Sequence, residues 1–222
     1  MPSPINIEKA IIKLRTANVI LVIAAACLLL FLFIAFFVVH QHREAFDQSI
    51  IRFVSIHNSP ALIQTMLLIT FLGSSMFLLP AYLTLIALML VRKYFYEAIN
   101  IAISASLSWV VLSGIKILFH RHRPDLPLVN NFTTYSFPSA HTFSSWIFFN
   151  TAAFFLVRHK AASLNKYLIV ISIQLISLTI GCSRIILNVH YTTDVIAGLC
   201  LATSWLILSY LIYNNYRPSK KG

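Results

Sequence analysis

The sequence predicts an all-α fold, a polytopic membrane bundle of six transmembrane helices with a site at their outer ends, and three observations lead there. Of 222 residues, 59% are hydrophobic and only 10% charged, with mean hydropathy +0.81, where a soluble domain carries roughly 25% charged residues. Uncharged runs long enough to cross about 30 Å of hydrocarbon recur along the chain. Lys and Arg outnumber Asp and Glu by 17 to 6 and are scattered between those runs, which suits anionic lipid and not the single exposed patch that nucleic acid needs. The composition also excludes disorder, collagen-like repeats and coiled coil. Cys27, Cys182 and Cys200 all lie in or beside apolar stretches, so neither a disulfide framework nor a Cys-based metal site is expected.

The first span is residues 17–39, too long for a signal-peptide core and followed by no small-x-small cleavage site before His40, so it reads as a retained helix. Residues 40–60 carry Phe46, Ile50, Phe53 and Val54 among charges, the pattern of an amphipathic interfacial helix. After Asn58-Ser59-Pro60 an uncharged stretch reaches Val91, longer than one crossing needs. Gly73-Ser74-Ser75 in its middle and Pro80 beyond predict a tilted, broken or partly interfacial helix. The remaining spans are about 98–115, 142–157, 167–182 and 195–213, so both termini share one side. The chain, 1–222, reads as one integral membrane domain with no internal repeat, and its longest linker-like piece is 119–140.

Orientation follows from Lys and Arg in the short loops. With the termini inside, eleven of these residues face inward: Lys9, Lys13, Arg15, Arg92, Lys93, Arg158, Lys160, Lys166, Arg217, Lys220 and Lys221. Six face outward: Arg43, Arg52, Lys116, Arg121, Arg123 and Arg184. Four of those six gather near the two outer loops after spans three and five, and ionisable groups held at a membrane edge invite a functional reading.

The residue types there suit phosphoryl transfer. Lys116, Arg123 and Arg184 form a cationic clamp: the guanidinium fork binds two phosphate oxygens and the ammonium adds a point charge. Ser139, preceded by Pro138 and followed by an apolar run, reads as a helix N-terminus, where Ser139 caps and free amides near Ala140 face an anion. His190 and Asp194 are four residues apart, on one face if that segment is helical, so the carboxylate holds one ring nitrogen and frees the other as a nucleophile. His141 is then placed to protonate the departing lipid oxygen, which leaves poorly as an alkoxide.

Lys116 to Arg123-Pro124, Pro138 to His141, and Ser183-Arg184 to His190 and Asp194 resemble, in order and internal spacing, the three motifs KxxxxxxRP, PSGH and SRxxxxxHxxxD of the type 2 phosphatidic acid phosphatase family. The resemblance covers about residues 70–210, including a Gly-Ser pair in the second span and the run from His190 to Gly198. It implies a lipid phosphate phosphatase with six transmembrane helices, needing no metal or other cofactor. It also implies a phosphohistidine at His190, with His141 as general acid and Lys116, Arg123, Ser139, the Ala140 amide, His141 and Arg184 holding phosphate. One departure is Ala140, where the family usually has Gly. Positive φ there would cost about 1–2 kcal/mol, whereas a helix start costs alanine nothing, and the second is expected.

Each residue alone has an ordinary explanation: a snorkelling Lys116, a hydrogen-bonded His, an Asp194 that caps a helix. Three spaced motifs on one membrane side outweigh them. His120, His122, His141 and His190 are not read as a zinc site, because the neighbouring arginines repel a cation. Arg121, His120 and His122 are expected as headgroup contacts or solvated loop residues, Asp125 as an ion-pair or turn residue, and Tyr135 and Phe137 as interfacial anchors. Asn131-Phe132-Thr133 is a formal glycosylation sequon that matters only in a secretory pathway.

The expected activity is hydrolysis of a phosphate monoester or pyrophosphate headgroup entering from the outer leaflet of a plasma membrane, bacterial by the chain's small size. Phosphatidylglycerol phosphate or phosphatidic acid is favoured over undecaprenyl pyrophosphate, and a lipid A phosphatase is a further option. The rival from another class is a transporter or flippase that binds the headgroup without cleaving it. A carrier has no need of the His190 and Asp194 pair, and a silent scaffold would need none of these residues.

Overall fold

The computed structural model describes residues 4–40, 44–129, 134–157 and 164–216, with side chains from residue 16 onward except 39 and 40. Arg43, Arg158, Lys160, Arg217, Lys220, Lys221 and the Asn131 sequon lie outside the described residues, as do the side chains of Lys9, Lys13 and Arg15. The described residues form helices and no strands: α1 (Pro4–Ile34) with a π-helical extension (Ala35–His40), α2 (Ala45–His57), α3 (Pro60–Phe71), α4 (Ser75–Val91), α5 (Phe95–Phe119), α6 (Ala140–Val157), α7 (Leu164–Ile186) and α8 (Thr192–Tyr216).

Five stretches are long and apolar enough to cross a membrane: Thr16–Val38, Pro60–Val91, Phe95–Phe119, Leu164–Ile186 and Thr192–Tyr216. Their outer surfaces are apolar, with Leu29, Leu68, Trp109 and Leu168 all exposed, as lipid contact requires and water does not tolerate in such quantity. The sixth expected span, 142–157, falls in α6, which is not among the five. Its polar His141, Ser144, Ser145, Asn150 and Thr151 lower its apolarity, and it packs on both α7 and α8 as an interior helix. Inside the bundle, the Gln174 side-chain amide of α7 donates to the Asn150 carbonyl of α6 at 2.5 Å.

The long uncharged stretch is indeed broken. Ser59 caps α3 by accepting from the Leu62 amide at 3.2 Å with Pro60 at the first helical position, and Ser74 restarts the helix as the cap of α4, accepting from Phe77 at 3.3 Å. The core joins α1, α5, α6 and α8 through Phe31, Ile34, Leu112, Phe137, Phe143, Ile147, Ala197 and Leu201. Small residues on α8, among them Ala197, Ala202 and Ser204, allow close approach of α1, and the Ser204 hydroxyl reaches the Ala24 carbonyl at 3.0 Å.

One expectation about the linker needs correction. Phe137 is not an interfacial anchor: it is fully buried, stacked on Phe31 with centroids 5.6 Å apart and edge-on to Phe119 at 5.3 Å. Its ring therefore joins the segment before α6 to the core. Tyr135 does stay at the surface, its ring against His120 at 4.6 Å.

Candidate active site

The three motifs converge at one end of the bundle. Lys116 lies in the last turn of α5, which ends where His120 takes the left-handed conformation at φ 47°. Arg123 follows in the irregular segment, Ser139 precedes α6, Arg184 lies in the last turn of α7, and His190 sits in the turn before α8. The N-terminus of α6, at Ala140, offers backbone amides and a dipole that favour an anion, whereas at the start of α8 the Thr193 amide donates to Asp47 at 3.0 Å.

Ser139 caps α6 through its Oγ, which accepts from the Thr142 amide at 3.4 Å and the Thr142 hydroxyl at 2.9 Å. The Ser139 amide donates to the Asp194 carbonyl at 3.0 Å, tying the second motif to the third. Ala140 begins the helix and has no positive φ, so no strain attaches to a side chain there.

Each cation is held by its surroundings. The Lys116 ammonium donates to the Tyr135 carbonyl at 2.6 Å and the Arg184 guanidinium to the Thr70 hydroxyl of α3 at 2.6 Å. Arg123 donates to the Val189 carbonyl at 2.8 Å and the Thr134 carbonyl at 3.1 Å. His141 has Arg184, Arg123 and Lys116 as its cationic neighbours, a concentration of positive charge that a phosphate would balance. The break between α3 and α4 abuts the same ring: a Cβ on Gly73 would stand 3.2 Å from His141 Cδ2 and 2.6 Å from Ile180 Cγ2. Glycine is what lets the broken span close on His141.

His190 and Asp194 are paired, but not across a helix face. His190 precedes α8, whereas Asp194 is its third residue, and a carboxylate oxygen (Oδ2) accepts from the Tyr191 amide at 3.0 Å. An acidic side chain at that position reaching back to the cap amide is one half of a capping box. The same oxygen lies 3.4 Å from His190 Nδ1 and accepts the Ser136 hydroxyl hydrogen. With its hydrogen so used, Ser136 Oγ is an acceptor toward Nδ1 at 3.2 Å. Nδ1 therefore carries the imidazole hydrogen, and Nε2 presents its lone pair toward Arg123 Nη1, 3.2 Å away.

Burial pushes the His190 pKa down from 6.5 to about 3; Asp194 opposes this and Arg123 and Arg184 add to it. The ring is neutral at physiological pH, as a nucleophile must be. Burial also lowers Arg123, to about 10, against the pull of Asp194, and leaves it charged.

The structure overturns the reading of Arg121 as a headgroup or solvated residue. It is 6% exposed and ion-paired to Asp194 at 2.6 Å and to Asp47 of α2 at 2.8 Å. Burial disfavours its charge, but the two carboxylates outweigh that and raise its pKa above the ordinary value. The signal was present in the sequence, since Arg121 belongs to the surplus of cations on the outer side. Asp47 and Ser136 were missed outright: both are fully buried, and neither falls in a motif. His120 and His122 are exposed, and Asp125 is exposed in a turn whose carbonyl accepts from the Asn188 side chain at 2.7 Å.

The sequence pattern that defines the PAP2 superfamily matches residues 81–218. A Bacillus subtilis (strain 168) protein named phosphatidylglycerophosphatase B is 31% identical over 188 residues, covering 82% of this chain and 91% of that protein. The crystal structure of the first transmembrane PAP2 type phosphatidylglycerolphosphate phosphatase from Bacillus subtilis superposes with TM-score 0.81 at 26% identity, over 89% of this chain and 98% of that one. Aquifex aeolicus LpxE shares the fold, with TM-score 0.58 at 22% identity over 75% of this chain and 96% of that one.

Proposed function

Because the chain belongs to the PAP2 superfamily and is a lipid phosphate phosphatase of the membrane-embedded type, we propose that it hydrolyses phosphatidylglycerol phosphate through a phosphohistidine on His190. The observation that carries the reading is the neutral His190, its Nδ1 hydrogen directed to Asp194 and Ser136 and its Nε2 facing Arg123. The named likeness to phosphatidylglycerophosphatase B supports the choice of substrate over phosphatidic acid and undecaprenyl pyrophosphate.

In this mechanism Lys116, Arg123, Arg184 and the amide at Ala140 hold the phosphate, with Ser139 capping the helix that presents that amide. Nε2 of His190 forms the N–P bond while the P–O bond to the lipid breaks, and His141 gives its proton to the departing oxygen. Asp194 stabilises the imidazolium that results. Water then attacks phosphorus, yields its proton to the now neutral His141, and releases His190 and inorganic phosphate. The clamp neutralises the charge that spreads over the phosphoryl oxygens at each transfer.

The topology that fits is one domain of six spans, α6 being the sixth, with both termini cytoplasmic and the site on the outer face of a bacterial plasma membrane. The loop charges support it. The substrate then enters sideways from the outer leaflet.

The test is phosphate release by the detergent-purified protein from phosphatidylglycerol phosphate, phosphatidic acid and undecaprenyl pyrophosphate, all in EDTA, beside a folded His190→Ala variant. Release from phosphatidylglycerol phosphate above the other two, and none by the variant, is expected. Binding of these lipids without release would move the reading to a carrier. Loss of activity in EDTA would overturn the mechanism without metal.

A further inference from the structure

A second layer of buried charge lies behind the site, outside the phosphate-holding residues. Arg121 Nη1 donates to Asp194 Oδ1 at 2.6 Å and to the Thr193 hydroxyl at 2.8 Å, while Nη2 donates to Asp47 Oδ2 at 2.8 Å and lies 3.5 Å from Glu44 Oε1. The guanidinium rests on the Tyr191 ring, 4.0 Å from its centroid. Asp47 also accepts from the Thr193 amide at 3.0 Å and from the Thr193 hydroxyl. Asp47 is fully buried and Arg121 nearly so.

Fastening α2 to the bundle does not by itself call for ions, because apolar packing holds a helix without the cost of removing two carboxylates and a guanidinium from water. What these ions do that apolar groups cannot is act on Asp194. Arg121 occupies one oxygen of that carboxylate, so the other is left to His190 Nδ1, Ser136 and the Tyr191 amide. Asp47 in turn draws on the charge of Arg121. With Arg121 shared between two carboxylates, Asp194 keeps negative charge to offer the imidazolium formed when His190 is phosphorylated. With Asp47 neutral, Arg121 would be spent wholly on Asp194.

We propose that Asp47 and Arg121 are positioning residues for phosphoryl transfer: from α2, Asp47 acts through Arg121 to fix the orientation and effective charge of Asp194. This rests on the reading of His190 as nucleophile. A role confined to holding α2 in place would lower stability and leave the turnover of folded protein unchanged, whereas a positioning role lowers kcat at unchanged KM.

The experiment uses the full chain in mixed micelles of phosphatidylglycerol phosphate, with thermal midpoint measured for every variant. Asp47→Asn lowers kcat about tenfold with KM unchanged, and Arg121→Gln lowers it at least as far, because contacting groups couple strongly. The double variant is no slower than Arg121→Gln alone, since Asp47 acts only through that residue. Wild-type kcat in folded Asp47→Asn, or losses that multiply in the double variant, would overturn the proposal. Should Asp47→Asn fail to fold, the partly exposed Glu44 gives the milder probe: Glu44→Gln lowers kcat about twofold by the same coupling, and an unchanged kcat would sink the idea. Activity surviving in His190→Ala would remove the premise itself, and is read separately from these outcomes.

Discussion

Replacing Gly198 by alanine tests whether packing between α8 and the start of α6 sets the phosphate-binding geometry. Gly198 lies one turn below Asp194 on α8, and a Cβ there would meet the Ser139 carbonyl oxygen at 3.0 Å, Thr142 Cβ at 3.4 Å and the Phe143 amide nitrogen at 3.6 Å. The first of these is backbone at a helix start and cannot swing aside. Non-bonded atoms rest near about 3.5 Å, so the Ser139 turn must move by a few tenths of an ångström, carrying with it the amide at Ala140. A misplacement of about 1 Å costs about 10²-fold in rate, so this shift should lower kcat on phosphatidylglycerol phosphate roughly tenfold. Overpacking should also cost about 1–3 kcal/mol of stability. Gly114→Ala is the control, because nothing lies within 4 Å of a Cβ on that residue. It should keep wild-type kcat. Phosphate release at several substrate concentrations, beside thermal midpoints in detergent, reads both effects. Wild-type kcat in folded Gly198→Ala would refute the argument that this contact positions the phosphate site.

Acid stability should follow His190. Below pH 6.5 the unfolded chain takes up a proton at this residue, which the folded protein refuses down to about 3, so stability falls with pH by about 1.4 kcal/mol per unit across that window. His190→Gln should therefore gain on the wild type as pH drops from 6.5 to 4.5, and parallel melting curves at the two pH values would contradict the burial of a neutral ring. Ala140→Gly should give no gain in kcat, because the first residue of α6 has no positive φ to relieve. A large gain would mean that the methyl group strains the site.

The candidate phosphate-binding residues were legible as a set because their chemistry is written in their type and spacing. A fork of Arg, a point-charged Lys, a Ser before an apolar run and two histidines have few other reasons to recur at a membrane edge. The broken second span was legible too, since Ser59-Pro60 and Ser74 carry capping signals that do not depend on the rest of the fold. The residues behind the site were not. Arg121, alternating with His120 and His122 in a loop, looks solvated until α2 is seen to bring Asp47 to it from 74 positions away. Phe137 looks like an anchor until Phe31 and Phe119 close around it.

The sequence by itself determined the class of the molecule and singled out its candidate reactive groups, because hydrocarbon thickness, loop charge and motif spacing are local properties of the chain. The tertiary structure decided which nitrogen of His190 is free and which carboxylates share Arg121. Those outcomes depend on contacts between α2, the linker and α8, and long-range contacts of buried polar groups are set by which helices meet and not by any periodicity along one of them.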